Sequence, residues 1–143
     1  MPTWAWRLAA FCWAATMAWG CLQEASGAAP GWWRLPHIDK LAHAGMHGLL
    51  AWLLWRAASL GRASLWGAVG VVLLCAAYGL ALEWSQAQFT LTRSAEALDA
   101  LANTLGAMLG VMLGATRGSR PGPGPRALPA PGASGHRRPT LPP

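Results

Sequence analysis

The chain alternates long apolar runs with short polar stretches. Trp4 to Leu22 is interrupted by one charge, Arg7. Leu41 to Trp55 carries only His43 and His47 among its possible charges, and Leu65 to Leu82 and Ala100 to Ala115 carry no acidic, basic or histidine residue. A helix of about 20 residues crosses a hydrocarbon core. The second and fourth runs reach that length once their polar first turns, from Ile38 and from Glu96, are included. Four helices follow, each long enough to be a transmembrane span.

The polar positions left inside these helices repeat at helical spacing. Asp39, His43 and His47 recur every fourth residue and share a face. Gly79, Glu83 and Gln86 share a face near the end of the third helix, spaced by four and three, as do Asp99, Asn103, Gly106 and Gly110 on the fourth, spaced by four, three and four. Asp39, Glu96 and Asp99 stand in first turns, where the helix dipole favours negative charge. Ser94 is a candidate cap for the fourth helix. Gly106, Gly110 and Gly114 form a doubled small-xxx-small ridge, which lets a neighbouring backbone approach closely and brings Asp99 and Asn103 near polar groups on other helices. Spacing alone leaves open whether the neighbour belongs to this chain or to a second copy.

Composition supports a membrane setting. Hydrophobic residues make up 54% of the chain and charged residues 11%, against roughly a quarter charged in a soluble domain. Of the ten tryptophans, Trp4, Trp6, Trp19, Trp32, Trp33, Trp55, Trp66 and Trp84 fall near helix ends and read as interfacial anchors; Trp13 and Trp52 read as packing residues. The first run is longer than the apolar core of a typical secretory leader and reads as a span. Cys12, Cys21 and Cys75 form neither a disulfide framework nor a zinc spacing.

Basic residues stay on the cytoplasmic side. An N-in, C-in topology puts Arg7, Arg56, Arg62, Arg117, Arg120, Arg126, Arg137 and Arg138 inside, leaving Arg34, Lys40 and Arg93 of the 11 outside. All five acids, Glu24, Asp39, Glu83, Glu96 and Asp99, then reach the outer side. Residues 1–36 hold the first span and its outer loop, and residues 37–116 a three-helix core. The Pro-, Gly- and Arg-rich stretch 117–143 buries too little apolar surface to order, and reads as a disordered cytoplasmic tail.

The order Asp39-Lys40-x-x-His43, Glu83-x-x-Gln86, Arg93, then Asp99-x-x-x-Asn103-x-x-Gly106-x-x-x-Gly110 resembles the VanZ-like family of small bacterial membrane proteins, named for a teicoplanin-resistance protein. The likeness spans about residues 37–114. Leu91-Thr92 stands where members of the family often carry Pro-Gly. The resemblance implies a multi-pass protein of the bacterial inner membrane with a role at the cell envelope, and marks Asp39, Lys40, His43, Glu83, Gln86, Arg93, Asp99 and Asn103 as binding positions.

Two functions compete. In the first, the polar residues form an outer-facing site for membrane lipid, a lipid-linked phosphate or another anionic envelope component. Lys40 and Arg93 supply positive charge, and Glu83, Asp99 and His43 are candidates for acid or base work. No nucleophile is apparent, which leaves catalysis open. In the second, the same residues only lock the bundle through interhelical hydrogen bonds. A metal on His43, His47 and a carboxylate is the weaker reading, and no metal, cofactor or nucleic-acid partner is expected. The intact spans, unbroken by Pro, argue against a secondary carrier.

Overall fold

The computed structural model of the chain describes residues 1–23, 37–59, 64–91 and 96–116. These form four helices: α1 (Thr3–Cys21), α2 (Ile38–Ala57), α3 (Leu65–Phe89) and α4 (Ala97–Thr116), with no strand among the described residues. Arg93, Ser94, Glu24, Trp32, Trp33, Arg34, Arg62 and the tail 117–143 lie outside the described residues.

The helix ends follow local chemistry. Ser64 Oγ accepts the Gly67 N–H at 3.1 Å and opens α3, which runs on to Phe89 before Thr90 turns extended. Before α2 stands His37 with φ of 63°, so the chain enters that helix through a left-handed residue, and Asp39 sits in the first turn as a dipole partner without capping it. The α4 helix begins at Ala97, with the Glu96 carbonyl accepting from Asp99 and Ala100.

Cross-contacts fix the bundle's sense. Trp6 meets Trp52 and Trp13 meets Met46, so α1 and α2 run antiparallel. Ala14 meets Tyr78 and Cys21 meets Gln86, so α1 and α3 run parallel. Lys40 meets Asp99 and Trp55 meets Gly114, so α2 and α4 run parallel. One end of the bundle therefore gathers the start of α2, the end of α3 and the start of α4.

The tightest seam joins α2 and α4. All three ridge glycines are buried there. A Cβ on Gly106 would fall on the Ala44 carbonyl, one on Gly110 on the Gly48 carbonyl, and one on Gly114 2.7 Å from the Trp55 ring. The ridge thus packs inside the chain, against a complementary stripe of Ala44, Gly48 and Ala51. Trp55 is 3% exposed; it lies over the side-chain-free surface of Gly114, and so is a core residue rather than the anchor its position near a helix end predicts. Trp4, Trp19, Trp66 and Trp84 are exposed.

By length and apolar composition α3 and α4 can each cross a membrane; α1 and α2 do not reach the same apolarity. Arg7 and several tryptophans dilute α1, and Asp39, Lys40 and two histidines dilute α2. Leu73, Leu74 and Leu80 of α3 and Leu105, Leu109 and Leu113 of α4 point outward uncovered. So continuous an apolar surface is suited to lipid and is uncommon on a soluble monomer.

Candidate functional site

The polar end is built around Lys40. In the first turn of α2 its Nζ lies 2.8 Å from Asp39 Oδ2, 2.6 Å from Glu96 Oε2 and 2.6 Å from Asp99 Oδ1. Asp39 and Glu96 are about half exposed, whereas the Asp99 side chain is largely buried. One ammonium thus faces three carboxylates drawn from two helices.

One turn deeper, His43 stands between Asp99 and a fourth acid, Glu83. Its Nδ1 is 3.1 Å from Asn103 Oδ1 and 3.9 Å from Glu83 Oε1, and its Nε2 is 3.9 Å from Asp99 Oδ2. Glu83 Oε2 accepts the Glu96 N–H at 3.2 Å, which ties the end of α3 to the start of α4. Glu83 is 4% exposed and Asn103 1%. Neither side chain reaches out towards a headgroup layer; both are held inward. Gly79 makes room beneath them, since a Cβ there would lie 2.8 Å from Asn103 Nδ2 and 3.0 Å from His47 Nε2.

The cluster therefore unites Asp39, Lys40, His43, Glu83, Asp99 and Asn103 from three helices. Gln86 is buried but turned away: its Nε2 donates to the Cys21 carbonyl at 3.0 Å and pins α1 to α3. Arg93 belongs to the stretch outside the described residues. Beside His43 on its helix, His47 donates from Nδ1 to the His43 carbonyl at 3.2 Å, while its buried Nε2 has no hydrogen-bond partner. Glu96 is the residue that motif reasoning left out of the site. It stands three positions before Asp99, so helical spacing could have placed it on the same face one turn higher.

Such a cluster has definite chemical capacities. The described part of the site carries four carboxylates against one lysine, so its field attracts cations, protons included. The imidazole sits within reach of a carboxylate on each side, an arrangement suited to passing or holding a proton. Lys40 is engaged by carboxylates on every described side, so it is not a free anion receptor.

An all-helical membrane protein with a buried acid-rich cluster at one end is the class these features define. A family model described as VanZ/LLP1 matches residues 4–116, and the chain belongs to that family. The match takes in α1 as well as the three helices that carry the motif. No curated protein and no solved structure matches the chain.

Proposed function

We propose that all four helices cross the bacterial inner membrane with both termini in the cytoplasm, and that the polar end faces outward and handles a lipid-linked or anionic component of the envelope. The observation that carries this reading is the burial of Glu83 and Asp99 in one cluster with His43. Ionisable groups inside spans are costly and are characteristically retained for a ligand or proton. Amides would bond the helices together equally well. Because the described residues carry excess negative charge, a phosphate enters this site in company with a cation or with Arg93, and not through Lys40 alone.

The competing reading is a structural lock, and one observation favours it: Lys40, Asn103 and Gln86 all spend their donors or acceptors on neighbouring helices. Thermal unfolding in mild detergent separates the two. The parent, Glu83→Gln and Asp99→Asn are compared with and without a polyprenyl phosphate, the neutral polyprenol serving as control. A handling site predicts that both variants stay folded and that only the phosphate raises the parent's Tm. Unfolded variants together with a parent indifferent to both lipids overturn the proposal in favour of the lock.

A further inference from the structure

Asn103 fixes more than packing. Its Oδ1 is an acceptor only, and at 3.1 Å from His43 Nδ1 it makes that nitrogen the donor. Its Nδ2 lies towards Gly79, on the side where His47 Nε2 is also found. In the neutral imidazole this leaves Nε2 with a bare lone pair towards Asp99 Oδ2, which is 3.9 Å away. Two acceptors thus face one another across a gap too long for a hydrogen bond. Two ligands of one tetrahedral ion, at about 2.0–2.2 Å each, stand roughly 3.3–3.6 Å apart, so this gap closes to a ligand pair with a shift of a few tenths of an ångström.

A third ligand is at hand. One atom each from His43, Glu83 and Asp99 lies within 4.8 Å of the other two; Glu83 Oε1 comes nearest the ring at Nδ1, 3.9 Å away, so its carboxylate swings round to the Nε2 side and the tips close by up to roughly 1.5 Å to meet metal-ligand distances. Asp99 serves two partners without conflict: Oδ1 meets Lys40 and Oδ2 faces the imidazole. The other acid group, Asp39, Glu96 and Asp99, already surrounds the Lys40 ammonium and holds no comparable gap.

We propose that His43 Nε2, Glu83 and Asp99 bind a divalent transition metal ion, of the zinc or manganese class that a histidine and two carboxylates favour. Asn103 acts as a positioning residue, donating no ligand but setting the imidazole tautomer, as carbonyl partners of metal-bound histidines commonly do. The set differs from the His43 and His47 pair that helical spacing singles out. His47 directs Nδ1 to a backbone carbonyl and Nε2 towards Gly79, and it is not among the groups that gather with the carboxylates. The proposal rests on the reading of the cluster as a ligand site, and supplies the cation that an anionic group needs there.

The test is equilibrium dialysis of the full chain, in mild detergent and on a histidine-free affinity tag, against Zn²⁺ or Mn²⁺ alone, with bound metal measured by elemental analysis. One ion per chain is expected in the parent and in the surface control His37→Ala. Binding should vanish in His43→Gln, Glu83→Gln and Asp99→Asn, with helical content by circular dichroism confirming that each is folded. Asn103→Leu should weaken affinity about 10–100-fold while keeping the stoichiometry. Absence of binding in the parent, or binding that survives all three ligand changes, overturns the proposal. A polyprenyl phosphate that stabilises metal-free protein while no metal binds leaves the envelope reading standing and removes the metal; stoichiometric metal without any lipid effect does the reverse.

Discussion

Lys40 shows how one side chain governs the electrostatics of the polar end. Its ammonium separates Asp39, Glu96 and Asp99, which otherwise face each other at the start of two parallel helices. Lys40→Ala removes that counter-charge. Deleting one partner of a fully buried pair costs about 3–5 kcal/mol; Lys40 keeps some solvent contact, so about 2–3 kcal/mol is expected at neutral pH. The sign of the pH effect follows from the carboxylates. Where they are ionised the variant suffers their full repulsion, and as pH falls and they take up protons the penalty shrinks. Comparing Tm of parent and variant at about pH 7 and about pH 3.5, on either side of the ordinary carboxylate range, should therefore show a gap that narrows in acid; a gap that stays constant or widens contradicts the account. At this scale the sequence was legible where partners are side chains at helical spacing. Asp39, His43, Asp99 and Asn103 declare a shared face through intervals of four. Gln86 stands three residues from Glu83, also on a shared helix face, yet its partner is the backbone carbonyl of Cys21, and every residue of every helix carries such an acceptor. Nothing in residue order marks one as the target.

Among the elements, the α2 and α4 seam dictates where the site forms. Lipid does not press apolar helices together as water does, so close backbone approach must supply the contact. Gly106 and Gly110 rest on the Ala44 and Gly48 carbonyls, a geometry suited to weak Cα–H···O bonds. That approach sets Asp99 beside Lys40 and Asn103 beside His43, seven and three residues before the first ridge glycine, Gly106. Gly106→Ala and Gly110→Ala push a methyl into a backbone carbonyl, and each should destabilise by about 1–3 kcal/mol in reversible unfolding from mixed micelles. Gly45→Ala and Gly70→Ala meet nothing within 4 Å and should be neutral or stabilising by up to about 1 kcal/mol, the helix-propensity difference. Equal effects at the four positions would sink the seam argument. The ridge on α4 was legible because three glycines recur at four-residue intervals. Its partner stripe was harder to see: Ala44, Gly48 and Ala51 are interleaved with His43 and His47, whose polarity draws attention to a different chemistry. The docking of α1 was legible for Trp13, whose indole donates to the Met46 carbonyl at 3.0 Å, and for Trp52, which meets the Trp6 ring; the Tyr78 hydroxyl bond to the Ala14 carbonyl at 2.6 Å leaves no trace in spacing.

Across the whole molecule, charge is sorted by end. The described acids, Asp39, Glu83, Glu96 and Asp99, share the end formed by the starts of α2 and α4. Arg56 lies at the opposite end, 5.1 Å over the Trp6 ring, near the start of α1 where Arg7 also stands. Helices that alternate in direction along the chain make this sorting automatic once each is charged at one end, which is why the charge pattern along the chain anticipates the polar end. The same pattern implies a direction, because arginines resist translocation and acids do so far less. A cysteine-free parent carrying either Ser59→Cys, at the arginine end, or Leu91→Cys, at the acid end, tests it with a membrane-impermeant maleimide on intact cells. Both positions are exposed. Labelling at 91 with protection at 59 until the cells are opened fits a polar site that meets envelope components from outside. The opposite pattern places the buried acids towards the cytoplasm, where a lipid-linked substrate would have to be met before export and the envelope reading would need a ligand of the inner leaflet. Labelling of both in intact cells is incompatible with any arrangement in which the bundle spans the bilayer, because the two ends then lie on one side.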